Sequence, residues 1–265
     1  MLYLHKQNIK IMLTFISCAK TMTARSKVKV PSTSIPQFEN IAKENAIAMS
    51  ELNTEELAKS LHINSKLASE NKLRYMDFFS ENNNGLPAIL SYTGMVFKRI
   101  SPDSFTADDF NYAQSHLFIT SFLYGLLRPL DSIKNYRLEG NIKLHIHNGK
   151  SMFDFWKPVL TDYFIDEIKK QGGVLINLAS GEMKDLFDWE RLKKNVEIIT
   201  PEFYTIKNGK PTTVVIYAKM CRGEMTRFII KNRIENPEQL KSFEWEGFCF
   251  KPEMSTDKKM VFCME

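Results

Sequence analysis

Cysteine, long apolar runs and repeated segments are scarce in this sequence, and each scarcity excludes a class of protein. The 265 residues include four cysteines, Cys18, Cys221, Cys249 and Cys263, with no C-x-x-C spacing. That pattern argues against a disulfide framework and predicts reduced thiols in the cytoplasm. No apolar run approaches the roughly 20 residues of a membrane span, so we expect no membrane partner. No repeat, low-complexity linker or Pro/Gly-rich hinge divides the chain.

What is present is the composition of a folded domain. Hydrophobic residues make up 43% of the chain and charged residues 25%. A chain of this length buries roughly 70–75% of its unfolded surface without disulfides or metal. The formal charge is +5, and basic residues outnumber acidic ones most clearly over 128–150 and 219–233. Either segment alone is typical of a solvated helix face, but together they indicate an anion-facing surface.

Helix and strand signals alternate along the whole chain. Asn53 with Glu56, and Thr106 with Asp109, are helix-start signals, and Asn208-Gly209 is a hairpin-turn signal. Helices are predicted over 37–52, 54–61, 65–79, 106–124, 151–170 and 223–234. Strands are predicted over 11–17, 174–179, 196–206, 212–218, 245–250 and 260–264. We predict an α+β fold, a single compact domain over 12–265 with a mixed, largely interior β-sheet surrounded by helices.

The segment Leu123–Asp131, Leu-Tyr-Gly-Leu-Leu-Arg-Pro-Leu-Asp, has the outline of a helix-hairpin-helix. A buried helix would end at Gly125, and Pro129 would permit a second helix to begin. In such a hairpin Gly125 lets the backbone approach a phosphate, and Arg128 adds charge-assisted hydrogen bonds. An ordinary helix–helix turn with a glycine cap accounts for the same residues equally well.

Polar groups also follow two predicted strands. Ser17-Cys-Ala-Lys20 fits the S-x-x-K pattern of serine acyl enzymes, but it follows a strand rather than opening a helix. A strand-end loop that carries Lys20 and Thr21 towards an anion is the better interpretation. Asn177, Ser180 and Glu182 follow the buried strand over 174–179, where a structural role for Asn177 is as plausible as a functional one.

The second basic segment runs from Lys219 through Arg222-Gly223 to Arg227 and Arg233. A basic helix entered through Arg-Gly suits phosphate capture, although a solvated helix exterior would look similar. His145 and His147 lie two residues apart without a third ligand nearby, so the spacing supports no metal site. We therefore predict neither a metal nor a cofactor.

Taken together, these motifs resemble the YaaA peroxide-stress proteins of bacteria. The resemblance covers the chain from about Met12 and rests on motifs in a fixed order. They are Ser17-x-Ala-Lys-Thr21, Tyr92-Thr-Gly94, Ala113-Gln-x-His-Leu117, Leu123–Asp131, Tyr136-Arg-Leu-Glu139, Asn177-Leu-Ala-Ser180 with Glu182, Tyr217-Ala-Lys219, Arg222-Gly223 and Arg227-Phe-Ile-Ile-x-Asn-Arg233. Residues 1–11 have no counterpart, and we interpret them as an N-terminal extension ahead of Met12. Cys18 stands where the family's loop is expected to carry proline, which puts a thiol beside Ser17.

The resemblance implies a cytosolic protein with a helix-hairpin-helix that binds double-stranded or distorted DNA in a basic cleft. It further implies that the protein limits DNA damage during hydrogen peroxide stress, and a link to lower free intracellular iron. The phosphate-binding residues expected from the matched motifs and from the basic segments form one set. They are Lys20, Gly125, Arg128, Arg137, Lys219, Arg222, Arg227 and Arg233.

The sequence therefore supports two alternative functions. The first is a DNA-binding protein, expected to be a monomer, that holds intact, bent or gapped duplexes mainly through phosphates. The second is an enzyme acting on a nucleotide or another small anion in a strand-end pocket, although no catalytic constellation supports it in the sequence. Ser17, Thr21, Asn177, Ser180 and Glu182 are the candidate pocket residues. A pocket containing both Lys20 and Glu182 would favour the enzyme, and separate surfaces would exclude it.

Overall fold

A computed structural model describes residues 12–265, so the predicted extension over 1–11 lies outside the described residues. The helices are α1 Glu39–Glu51, α2 Thr54–Leu61, α3 Ser65–Met76, α4 Ala88–Ser91, α5 Met95–Ile100, α6 Ala107–His116, α7 Met152–Lys170, α8 Trp189–Asn195 and α9 Val215–Asn232. The strands are β1 Met12–Ile16, β2 Leu86–Pro87, β3 Leu117–Ser121, β4 Gly125–Leu127, β5 Ser132–Ile133, β6 Val174–Asn177, β7 Glu197–Lys207, β8 Lys210–Thr212, β9 Cys249–Phe250 and β10 Lys259–Met264.

The centre of the molecule is a mixed sheet in the order β4-β3-β1-β6-β7-β10-β9, with β8 paired to β7. Neighbours from β3 through β10 are parallel, while β4, β8 and β9 pair antiparallel. Every residue of β1, β3 and β6 is buried, as expected of apolar strands covered by helices on both faces. The prediction of a single compact domain with a mixed, largely interior sheet is confirmed.

The order of the strands creates a crevice between β1 and β6. These two strands are parallel neighbours, yet the strand of this sheet that follows each of them in the chain lies on opposite sides: β3 beside β1, and β7 beside β6. In open sheets with parallel strands, ligands bind at such a reversal, outside the carboxyl ends of the two strands. The topology therefore points to the loops that follow Ile16 and Asn177.

Many of the predicted helices are confirmed, because capping residues in the sequence mark where they begin. Asn53 and Glu56 form the expected capping box at the start of α2, as do Thr106 and Asp109 at the start of α6. Ser151 caps α7, and Asn208 and Gly209 both adopt positive φ in the turn between β7 and β8.

The prediction was wrong over Leu117–Leu127, where a β-hairpin replaces the second half of a helix and the proposed helix-hairpin-helix. Helix α6 ends at His116, and β3 and β4 pair antiparallel across the loop 122–124. Ser121 Oγ accepts the Tyr124 N–H at 2.9 Å, and Gly125 has φ +74°, so both residues favour a tight turn. Asp131 then accepts the Arg128 N–H at 2.7 Å, and the short strand β5 follows rather than a helix.

A closely connected helix pair occurs elsewhere. The three residues 62–64 join α2 to α3, with His62 in the left-handed region and Asn64 capping α3.

A second correction concerns 212–218, which is not a strand: α9 already begins at Val215. The β-branched residues there favour extended chain, but packing of α9 against α5 prevails over that local preference.

Candidate functional site

A cavity of about 390 Å³ lies where the topology predicts a ligand site. Its walls come from the loop after β1, the loop after β6, the start of α5, the segment Tyr136–Glu139, and Lys219 and Arg222 of α9. This volume lies within the range of roughly 300–1,000 Å³ found for small-molecule sites. Residues distant in sequence thus meet at one opening in the surface.

Hydrogen bonds fix the two strand-end loops to each other. Ser17 Oγ accepts the Ser180 N–H at 2.8 Å and donates to Ser180 Oγ at 3.2 Å. The Cys18 N–H donates to Thr120 Oγ1 at 3.1 Å, which ties the first loop to β3. The floor of the cavity is therefore built on rigid elements, which position ligand-binding groups better than free loops do.

Helix α9 reaches the cavity because it packs unusually close to α5. A side chain at Gly223 would meet the Val96 carbonyl oxygen at 2.4 Å and Arg99 Cβ at 2.6 Å. Glycine is therefore required at this crossing. Since Lys219 and Arg222 precede Gly223 by one turn and by one residue, the close crossing brings both cations to the cavity.

The charge lining the cavity is predominantly positive. Lys20, Arg137, Lys219 and Arg222 face two carboxylates, those of Glu139 and Glu182. Glu139 accepts from Lys20 Nζ at 2.7 Å and from Arg137 Nη2 at 3.0 Å. Burial opposes ionisation of Glu139, but these two cations outweigh it and hold the pKa of Glu139 below its ordinary value.

The two cations that α9 contributes to the cavity differ from Lys20 and Arg137 in this respect. Within residues 12–265, neither Lys219 nor Arg222 lies within ion-pair distance of a carboxylate. Burial lowers the pKa of the Arg222 guanidinium, although an arginine stays charged in proteins. The buried Arg137 Nε also has no hydrogen-bond partner in the described part of the chain. A buried donor without a partner is costly, and an acceptor on a ligand in the cavity would offset that cost.

The structure brings together eight of the residues singled out from the sequence. They are Ser17, Lys20, Thr21, Arg137, Ser180, Glu182, Lys219 and Arg222. Lys20 and Glu182 share this cavity, which was the arrangement expected of the enzyme hypothesis. Four of the seven cations expected to bind phosphate also line it, so the DNA-binding and enzyme hypotheses concern the same cavity.

The other predicted cations are engaged within the chain. Arg128 pairs with Glu167 at 2.5 Å and lies over the Phe118 ring. Arg227 donates to the carbonyl oxygens of Ile100 and Ser101, at 3.0 and 3.2 Å, and so closes the end of α5. Arg233 pairs with Asp109 at 2.9 Å.

Two uncharged candidates also lie outside the cavity lining. Gly125 is buried, and a side chain there would meet Trp156 and Leu160 at 2.9 Å. Its contacts are with the protein interior. Asn177 donates to Thr200 Oγ1 at 3.3 Å and accepts the Ala179 N–H at 3.2 Å. Those bonds satisfy a polar side chain at the end of a buried strand.

The thiols of Cys18 and Cys221 are protonated at neutral pH. Burial raises the pKa of both Cys18 and Cys221 to about 12. The basic neighbours of Cys221, which would favour a reactive thiolate, do not overcome burial, since nearby Glu224 also raises its pKa.

The histidines form local contacts rather than a cluster. His147 Nε2 lies 2.6 Å from Asn45 Oδ1 and stacks on Phe155, while His145 pairs with Glu51 at 3.3 Å. No group of three potential metal ligands occurs among residues 12–265.

Part of the cavity wall escaped the sequence analysis. The start of α5, from Met95 to Phe97, contributes to the lining, together with Phe122 and Leu138. The motif Tyr92-Thr-Gly94 just ahead of α5 was the available signal. Gly94 has no room for a side chain, because its Cβ would lie 2.7 Å from that of Ala19. The close contact of Gly94 with Ala19 lets the start of α5 pack against the loop after β1.

Comparison with known proteins identifies the family. The model of the family described as peroxide stress protein YaaA matches residues 12–254. A UPF0246 protein of Phocaeicola vulgatus is 64% identical over 96% of this chain and 99% of its own length. UPF0246 proteins of Bacteroides fragilis and Bacteroides thetaiotaomicron are 57% and 54% identical over 95% of this chain and 98% of their own lengths. Among the described residues, no helix is both long and apolar enough to span a membrane. The chain belongs to the family of peroxide stress protein YaaA.

Proposed function

We propose that this protein acts in the cell's response to hydrogen peroxide by binding DNA phosphates in the cavity between β1, β6 and α9. Family membership supports the role in peroxide stress. The observation that carries the DNA proposal is the convergence of Lys20, Arg137, Lys219 and Arg222 on one opening. The location in the cytoplasm and the state as a monomer are part of this proposal. The link to lower free iron rests on the family resemblance alone.

The chemistry of the opening fits a phosphate. Lysine and arginine form charge-assisted hydrogen bonds to phosphate oxygens, and an arginine can do so through two N–H groups at once. Lys219 and Arg222 form no ion pair with a carboxylate of the described chain, so their N–H groups are available to a ligand. Phosphate contacts carry no base sequence, and we expect affinity to depend on salt much more than on sequence.

Fluorescence anisotropy across a salt series tests the proposal. Intact, bent and gapped duplexes would be titrated, because each phosphate contact contributes about 0.9 to the slope of log affinity against log salt. Because the four cations neutralise at most four phosphates, we expect a slope of magnitude up to about 3 to 4 for the wild type. The double variant K219A/R222A should lose about 2 from that slope and bind more weakly at every salt concentration.

A charge-matched control separates the cavity from net charge. Lys27 and Lys29 are exposed and lie outside the cavity lining, and K27A/K29A removes the same two positive charges. If K27A/K29A lowers the slope as much as K219A/R222A, binding follows total charge and the proposed site is wrong. Absence of binding by the wild type at low salt would remove the DNA proposal itself.

The presence of Lys20 and Glu182 in one cavity favours a second candidate, an enzyme acting on a nucleotide or small anion. A lysine and a carboxylate beside one ligand can move protons and stabilise developing charge. Incubation with nucleoside mono-, di- and triphosphates, followed by chromatography, would reveal turnover. Turnover that K20A and E182Q abolish would establish this candidate, and no product from any nucleotide would leave binding alone.

A further inference from the structure

The cavity has an apolar wall as well as a cationic one. Phe97, Phe122, Leu138, Leu178 and Met183 all line it and are otherwise almost completely buried. A site for phosphate alone needs no such wall, since phosphate gains nothing from apolar contact. Apolar walls with a few placed polar groups are typical of sites for organic ligands.

Polar groups are also present that a phosphate would not use. Glu182, on the rim, is an acceptor and would repel a phosphate, whereas it can accept N–H groups from the edge of a nucleobase. Ser180 Oγ accepts from Ser17 Oγ, so its own O–H can donate to a ligand, and the Ser180 backbone N–H is already bound to Ser17 Oγ. The lining therefore combines cations, apolar surface and hydrogen-bonding groups suited to a heterocycle.

From this combination we infer that the cavity holds one nucleoside 5′-phosphate unit, with the phosphate on the cations and the base against the apolar wall. The inference rests on the proposed function and specifies its ligand. A volume of about 390 Å³ admits a single small ligand and not a base pair with its flanking strands. A base can reach it from DNA when the nucleotide is extruded from the duplex, or as a free nucleotide.

The first experiment compares two duplexes that carry the same phosphates. One has a single bulged nucleotide, and the other has an abasic residue at the same bulge. Contacts of a base with aromatic and apolar side chains are worth at least about a fivefold gain in affinity. We expect anisotropy titrations to show the base-containing bulge binding at least about fivefold more tightly, with equal salt slopes for both duplexes.

A cavity-filling variant supplies the control within the protein. Val96 lines the cavity and is half-buried, so V96W should occupy the space for the base without removing a charged side chain. The variant should lose the preference for the base-containing bulge and keep the wild-type salt slope. Unfolding in urea would check that it folds, and the duplex comparison on the wild type needs no variant.

The outcomes separate the inference from the proposed function. Equal affinity for the two bulges overturns the base site and leaves phosphate binding to DNA intact. If neither duplex binds, the DNA proposal fails, and calorimetric titration with a nucleoside 5′-monophosphate and with deoxyribose 5-phosphate decides the inference. Tighter binding of the monophosphate supports a site for free nucleotides, whereas equal or absent binding of both overturns it.

Discussion

At the scale of single residues, the partners of a basic side chain decide what it can do. Arg128, Arg227 and Arg233 are occupied by a carboxylate or by backbone carbonyls, whereas Lys219 and Arg222 face the cavity without a paired carboxylate in the described chain. Basic residues close together in the sequence thus divide into structural and accessible groups. A count of charges along the sequence could not make that division.

Asp109 pairs with basic side chains of the structural group, and its ionisation predicts how the stability of the protein changes at acidic pH. Burial would raise the pKa of Asp109, but hydrogen bonds from Lys231, Thr106 and Arg233 hold it well below the ordinary value. Because the folded pKa lies below the unfolded value of about 3.9, Asp109 stabilises the protein above that pH. The contribution is lost as the pH falls through about 4 towards the folded pKa.

The variant D109N should therefore lower the free energy of unfolding at pH 7 by about 2 kcal/mol, because the two cations lose a buried partner. It should also flatten the fall in stability between pH 5 and pH 3. Urea titrations at these pH values measure both effects. E167Q is the comparison for a second buried carboxylate, since Glu167 pairs with Arg128 and Lys170. A D109N protein with unchanged stability at pH 7 would show that the ion pairs contribute nothing net.

The cysteines give a prediction about peroxide. Because burial raises the pKa of Cys18 and Cys221 to about 12, almost none of either thiol is the reactive thiolate at pH 7. We expect both to remain reduced after peroxide treatment of the folded protein, as measured by alkylation and mass spectrometry. The same treatment in urea should oxidise them. A sulfenic acid on either residue in folded protein would contradict this and point to a sensing thiol.

At the scale of elements, the crossing of α5 and α9 connects stability with the site. The substitution G223A would gain about 1 kcal/mol of helix propensity. It would also place a Cβ 2.4 Å from the Val96 carbonyl oxygen, which forces the helices apart at a typical cost of 1–3 kcal/mol. We expect a net loss of up to roughly 2 kcal/mol in urea unfolding, together with weaker DNA binding because Lys219 and Arg222 move.

Gly181 provides the matched control for that substitution. It also lies near the cavity, but an added Cβ there meets no atom of residues 12–265 within 4 Å. G181A should therefore change the free energy of unfolding by less than about 0.5 kcal/mol and leave binding as in the wild type. If G223A is as harmless as G181A, the helices tolerate separation and the close crossing is not required.

Local signals explain which elements could be predicted from the sequence. Helices α2 and α6 begin at capping boxes and α7 at a serine cap, and each of these three starts was predicted. The segment after His116 has apolar residues on all sides, a pattern that a buried strand and a buried helix share. Pairing of β3 with β1 and β4 decides the matter, and those contacts lie about 100 residues away or across a turn.

The candidate site was predictable in part for the same reason. Ser17, Lys20, Ser180 and Glu182 were placed correctly at strand ends, because polar groups after an apolar run mark the edge of a sheet. The sequence offered no way to know that β1 and β6 are neighbours, or that Gly223 seats α9 against α5. The apolar wall stayed hidden because its residues look like ordinary core.

At the scale of the whole molecule, one sheet carries both halves of the chain. The parallel pairing of β6 with β7 joins the part built around β1 to the part built around β10. The cavity draws residues from both parts, since Ser17 follows β1 of the first and Arg222 lies on α9, which packs against β7 of the second. Ligand binding should consequently depend on the integrity of the entire sheet rather than on one half.

This continuity predicts that the described domain unfolds in one cooperative step. Trp156 is buried beside Phe38 in the first part, and Trp245 stacks on Phe248 in the second. Because one hydrophobic core includes residues of both parts, partial unfolding would expose a large apolar area. In variants that keep one of these two tryptophans and carry phenylalanine at the other tryptophan positions, the urea midpoint is measured by fluorescence and by far-UV circular dichroism. We expect the two midpoints of each variant to coincide. A fluorescence midpoint that differs from the circular-dichroism midpoint of the same variant would show that the β6–β7 pairing does not couple the two parts.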